Sequence, residues 1–166
     1  MTGGRRAGAR RRLTRFVVAL ALAAGAAAPP AVADPSDTDD VVASDIDYVA
    51  GKAAIGVRRW ADAVHSLKRA EVRFPDNADL QNDLGYAYRN LKQFELAFQH
   101  YKRALALDPR HRGAHEYVGE AYLMVDDLPS AERHLAALRE ICLLPCEELD
   151  DLKKAIDAYK ARKPAR

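Results

Sequence analysis

One spacing recurs through the chain and limits what it can fold into. Gly51, Gly85 and Gly119 lie 34 residues apart. Ala63, Ala97 and Ala131 keep the same interval of 34, as do Trp60, Phe94 and Leu128, and Leu67, Tyr101 and Leu135. Ala70 pairs with Ala104, and Phe74-Pro75-Asp76-Asn77 falls on Asp108-Pro109-Arg110-His111. A period of this length means stacked copies of one supersecondary unit, each too small to bury its apolar face alone. The units are 44–77, 78–111 and 112–144.

Within a unit the apolar residues follow a helical period, with no alternating strand pattern. Two antiparallel helices per unit explain the small residues. Gly at the eighth position and Ala at the twentieth remove bulk where the helices cross, so Gly85 and Ala97 are expected to face one another. An aromatic or Leu at position 17 opens the second helix. Ala at position 27 makes room for the next unit, and Pro at position 32 ends the helix. After Pro145 the segment CEELDDLKKAIDAYKARK reads as one more helix. Its Leu149, Leu152, Ile156 and Tyr159 form a single stripe, with acids at its start and bases at its end. It is expected to cover the last apolar face of the stack, as a cap over 145–166.

The pattern Leu84-Gly85, Tyr88, Ala97, Tyr101, Ala104, Pro109 resembles the tetratricopeptide repeat (TPR) family. The resemblance implies an all-α chain: three TPR helix-turn-helix units in a short right-handed solenoid with a C-terminal capping helix. Unit 1 departs from the pattern at Asp47 and Ala54, so its first helix is expected to be frayed or shifted. Unit 3 departs at Leu138. The tail ICLLPCEELDD is also similar to small exported bacterial TPR proteins with a Cys-x3-Cys-Glu-Glu segment.

Charge is unevenly spread. Of 26 basic residues, six are Arg within 1–33, a stretch with no acid; the remainder holds 20 bases against 24 acids, net −4. That balance argues against nucleic-acid binding by the folded part. The basic start, the apolar run Phe16–Ala28 and Ala31-Val32-Ala33 together predict a signal peptide over 1–33, cut before Asp34. The run is too short for a membrane span, which needs about 20 residues. The exported product is expected in the periplasm or outside the cell, without stable membrane insertion. Residues 34–43 are acidic and expected to be flexible.

No phosphate loop, nucleophile elbow or His-Glu-x-x-His motif occurs, so no catalytic residue, cofactor or metal is assigned. His111 and His115 lack a carboxylate partner and read as surface or helix-end residues. Cys142 and Cys146 are expected to form a structural disulfide in an oxidising compartment. A redox-active pair and two free thiols are the other readings. The redox pair gives the alternative function, a thiol-redox accessory protein.

The TPR resemblance implies a concave groove lined by Tyr48, Lys52, Asn82, Tyr86, Arg89, Glu116, Glu120 and Leu123. Some members of the family grip a peptide carboxylate with cations. Here Glu116 and Glu120 stand in that place, which implies an extended segment carrying a basic residue, with an apolar anchor near Leu123 and Met124. Of the groove side chains, Tyr86, Glu116 and Glu120 are expected to be replaceable without loss of the fold. The expected function is a non-catalytic scaffold or assembly factor of the bacterial cell envelope, binding an unidentified protein or peptide.

Overall fold

The computed structural model describes residues 35–162, and side chains from residue 39 onward. The leader expected over 1–33 and the last four residues lie outside the described part. Eight helices follow in order among the described residues: α1 Pro35–Ala43, α2 Ile46–Gly56, α3 Trp60–Arg73, α4 Ala78–Asn90, α5 Phe94–Leu107, α6 Arg112–Met124, α7 Leu128–Ile141 and α8 Glu147–Arg162. No strand occurs among them. The helices α2–α3, α4–α5 and α6–α7 pack as sequential pairs, and α8 packs on α6 and α7.

Each of these pairs turns over the same device. Arg58, Lys92 and Asp126, 34 apart, adopt left-handed φ of 58°, 61° and 65°. Around each, two backbone bonds close the end of the first helix. In unit 2, Gln93 N–H donates to Tyr88 O at 3.0 Å and Lys92 N–H to Arg89 O at 3.0 Å. Arg59 to Ala54 (2.8 Å) and Asp127 to Tyr122 (2.9 Å) repeat the longer bond. This is the Schellman ending, normally carried by Gly. None of the three residues is Gly, so composition held no sign of it.

Side-chain caps start the first helices. Asn77 Oδ1 accepts from Leu80 N–H at 2.8 Å, and His111 Nδ1 from Ala114 N–H at 3.1 Å. In unit 1 the register places the cap at residue 43, but Asp45 takes the role, bonding the N–H of Asp47 and Tyr48 at 3.0 Å each. The first helix therefore begins two residues late relative to α4. Asp47, the residue that departs from the repeat pattern, pairs with Arg69 and Arg73.

Three apolar clusters run along the stack. Ala63, Leu67 and Ala70 of α3 meet Leu80, Leu84 and Ala87 of α4. Ala97 and Tyr101 of α5 meet Val118 and Ala121 of α6. Leu123, Ala131, Leu135 and Leu138 meet Leu152, Ile156 and Tyr159 of α8. Leu138, which replaces the usual Ala, thus packs against the cap.

Two expectations are corrected. The glycine at position eight does not face the alanine at position twenty. A Cβ on Gly85 would lie 2.7 Å from the ring carbons of Tyr101, at position 24. On Gly119 it would lie 2.7 Å from Leu152 of α8, so the last glycine makes room for the cap. The segment 34–43, expected to be flexible, forms α1 from Pro35. Its Val42 is buried beside Arg73, Phe74 and Asn77, and Asp39 accepts from Asn77 Nδ2 at 2.8 Å. Val42 at its end supplies an anchor that the acidic composition concealed.

Candidate functional site

Helices α2, α4 and α6 carry the residues assigned to the groove, and α8 adds a fourth wall. From α2, the Tyr48 hydroxyl donates to Asp83 Oδ2 at 3.0 Å and Lys52 Nζ to Asp83 Oδ1 at 3.1 Å. Asp83 is buried. Burial pushes its carboxyl up, against the pull of Lys52 and Tyr48. These contacts tie unit 1 to unit 2.

The centre is aromatic. The Tyr86 ring lies 4.7 Å from Tyr117 and 5.6 Å, edge-on, from Trp60. The Arg89 guanidinium carbon sits 4.9 Å from the Tyr86 centroid and 5.3 Å from that of Tyr117, within cation–π range. Arg89 also donates to Tyr117 O at 3.1 Å and pairs with Glu120. It is a buried staple between α4 and α6, so the groove cation is already neutralised from within the chain.

Glu116 sits differently. It is half-buried, one turn before Glu120, and Glu148 and Asp151 of α8 also act on it. Burial, then Glu120, Asp151 and Glu148, push its carboxyl up to about 8. Arg89 opposes this only as the weakest influence. Among the described residues this carboxyl is an acid without a cation of its own.

A stability consequence follows from the sign of that shift. Folded Glu116 holds its proton up to about pH 8, whereas the ordinary value is 4.5. The folded state therefore binds more protons between those values. The stability it contributes is complete below pH 4.5 and is lost as pH rises towards 8. Glu116→Gln removes this loss, so the thermal midpoint of the variant gains on the parent between pH 5 and pH 8. Melts at both ends of the window check it, and a pH-independent difference would contradict the placement.

The eight assigned residues divide. Tyr48, Lys52, Tyr86, Glu116 and Glu120 reach the groove surface at least in part. Asn82, Arg89 and Leu123 are buried. Asn82 lies in the α4–α6 seam, with Nδ2 3.6 Å from where a Gly113 Cβ would stand. Its Oδ1 has no hydrogen-bond partner among the described residues. Leu123, expected as an apolar anchor for a ligand, is enclosed with α7 and α8, because the cap leans onto α6. Tyr86 and Glu120 engage Arg89 between α4 and α6, so replacing them is not neutral for the fold as expected.

Sequence reasoning missed Asp83, Tyr117, Trp60, Glu148 and Asp151. Asp83 and Tyr117 share position six of their units, one place beyond the positions taken from the family resemblance. Applying the 34-residue period to that column would have found both.

Neither histidine singled out keeps an open nitrogen. His111 caps α6 through Nδ1 and meets Asp79 Oδ1 through Nε2 at 2.9 Å. His115 meets Pro109 O at 3.1 Å and His134 Nδ1 at 3.0 Å. Cys142 and Cys146 are joined in a disulfide, with Cα atoms 6.1 Å apart, across the turn between α7 and α8. The free-thiol reading is thereby removed.

No curated protein matches the chain. A family model does: residues 48–111, from α2 to the cap of α6, match the tetratricopeptide repeat, and the 34-residue spacing continues through α6 and α7.

Proposed function

We propose that this chain is a non-catalytic interaction module that holds an extended, basic segment of a partner protein in the groove between α4, α6 and α8. It serves as a scaffold or assembly factor of the bacterial cell envelope. The observation that carries the groove reading is Glu116, half-buried among Glu120, Glu148 and Asp151. A lysine or arginine of the partner entering there replaces the proton that Glu116 holds, and so meets a charge that nothing else in the groove satisfies. Tyr86 and Tyr117 beside it offer ring faces to the neighbouring residues of the segment. The envelope location rests on the leader features of residues 1–33.

A displayed library of random twelve-residue peptides tests the reading, with chain recovered from the envelope fraction as bait. Its intact mass begins at Asp34 if the leader is removed. The parent enriches Lys- and Arg-bearing peptides, more strongly at low salt and more strongly as pH rises towards 8. Glu116→Gln, folded by circular dichroism, loses that enrichment. Enrichment without basic residues, or unchanged in the variant, would overturn the groove assignment.

A further inference from the structure

The repeat register exposes a second surface. Positions three, seven and ten of each unit form one face of its first helix. In α4 these are Leu80, Leu84 and Ala87, and in α6 Ala114, Val118 and Ala121, all buried, with Leu80, Leu84 and Ala87 against α3 and Val118 and Ala121 against α5. In α2 the same positions are Ile46, Ala50 and Ala53, and all three are exposed, Ile46 at 81%. Val49 and Val57 flank them at 50% and 67%. The face carries no charge, because Asp47 is drawn to Arg69 and Arg73, and Lys52 to Asp83. α2 thus presents the surface that receives a preceding second helix, with none in that place among the described residues. α1 does not fill it, since its buried Val42 lies beside the Phe74–Asn77 turn.

We propose that this face docks an amphipathic helix of another protein, one that continues the stack by a single helix. The repeat interface inside the chain defines the chemistry of that helix. Where α4 offers Leu84, the covering helix brings Ala63, Leu67 and Ala70. Where α6 offers the smaller Val118, the covering helix brings Ala97 and a larger Tyr101. Volume is conserved across the contact. α2 offers the still smaller Ala50, so its partner carries small, aromatic and small side chains at i, i+4 and i+7. A second copy of this chain does not provide such a face. Those of α3, α5 and α7 are covered by α4, α6 and α8, and α8 presents exposed Lys153, Lys154, Asp157 and Lys160 to solvent.

The α5 sequence, residues 94–107, has the required pattern; with Lys102→Gln and Arg103→Gln, so that it brings no cation to the groove, it serves as the probe. A capped peptide of those residues is titrated into isotope-labelled full-length chain and followed by backbone amide shifts. The expected result is movement of Ile46, Val49, Ala50, Ala53 and Val57, with affinity falling about tenfold or more for Ile46→Glu. Ile46 is solvent-exposed, so that variant keeps its fold, checked by circular dichroism. A peptide with Tyr101→Ala binds more weakly, and Glu116→Gln in the chain leaves binding unchanged, which separates this face from the groove. No shifts, or shifts centred on α4 and α6, would overturn the proposal. Sedimentation showing a dimer that Ile46→Glu dissolves would overturn it in favour of self-pairing.

Discussion

Tyr101→Ala lowers stability by about 3–5 kcal/mol, the range for truncating a buried aromatic. Tyr101 is fully buried. Its ring fills the notch over Gly85 and meets the cluster that joins units 2 and 3. Gly85 cannot close the void, because its backbone is fixed within α4. The phenol hydroxyl is buried without a hydrogen-bond partner among the described residues. Desolvation therefore pushes its ionisation up, far from any accessible pH. Tyr101→Phe removes that unsatisfied group while keeping the ring, so it is neutral or stabilising. Urea melts of the two variants separate ring from hydroxyl. Equal losses in both would mean that the hydroxyl, not the ring, holds the units together.

Leu152→Ala costs about 2–5 kcal/mol by leaving a cavity between α8 and α6. Leu152 is fully buried, and its methyl carbons lie where a Cβ on Gly119 would stand, at 2.7 Å. The two positions are coupled by this geometry. Gly119→Ala alone is destabilising, by about 1–3 kcal/mol through overpacking. In the Leu152→Ala background the same methyl enters space that has been vacated, and much of that loss disappears. A four-member cycle of thermal or urea melts measures the coupling. Additive losses would mean that α8 meets α6 elsewhere than at Gly119.

The sequence made the architecture readable because its period is long, repeated and marked by residues with narrow steric roles. Gly51, Gly85 and Gly119 stood out because no other residue fits where a neighbour approaches so closely. What filled each notch was less legible. Tyr101 and Leu152 both fill one, yet the first belongs to the same unit and the second to the cap, and spacing alone does not distinguish them. The turns at Arg58, Lys92 and Asp126 were hidden for the opposite reason, since ordinary residues occupy a conformation that Gly usually marks.

The groove was readable in part. Family positions led to Tyr86 and Glu116, which share the groove with α8. They also led to Arg89 and Glu120 as free side chains, whereas these bind each other across α4 and α6. A register position fixes a direction from the helix but not whether the neighbouring repeat supplies a partner. That depends on pairs such as Arg89 with Tyr117 and Glu120, whose members lie about one period apart in sequence.

Among the described residues the stack is closed at one end by α8 and open at the other along α2. In a linear array each unit draws its stability from itself and its nearest neighbours. Unit 3 is enclosed by unit 2 and the cap; unit 1 has one repeat neighbour and an exposed apolar flank. Its α2 and α3 meet where Leu67 packs against Gly51, and the links around that contact, Asp45 and Asp47 with Arg69 and Arg73, are surface ion pairs of small net worth. The lowest-energy opening of the native protein therefore begins at α2 and α3 and moves inward, while α6, α7 and α8 remain as a folded remnant. The chain has a direction in its dynamics that its repeated sequence does not suggest.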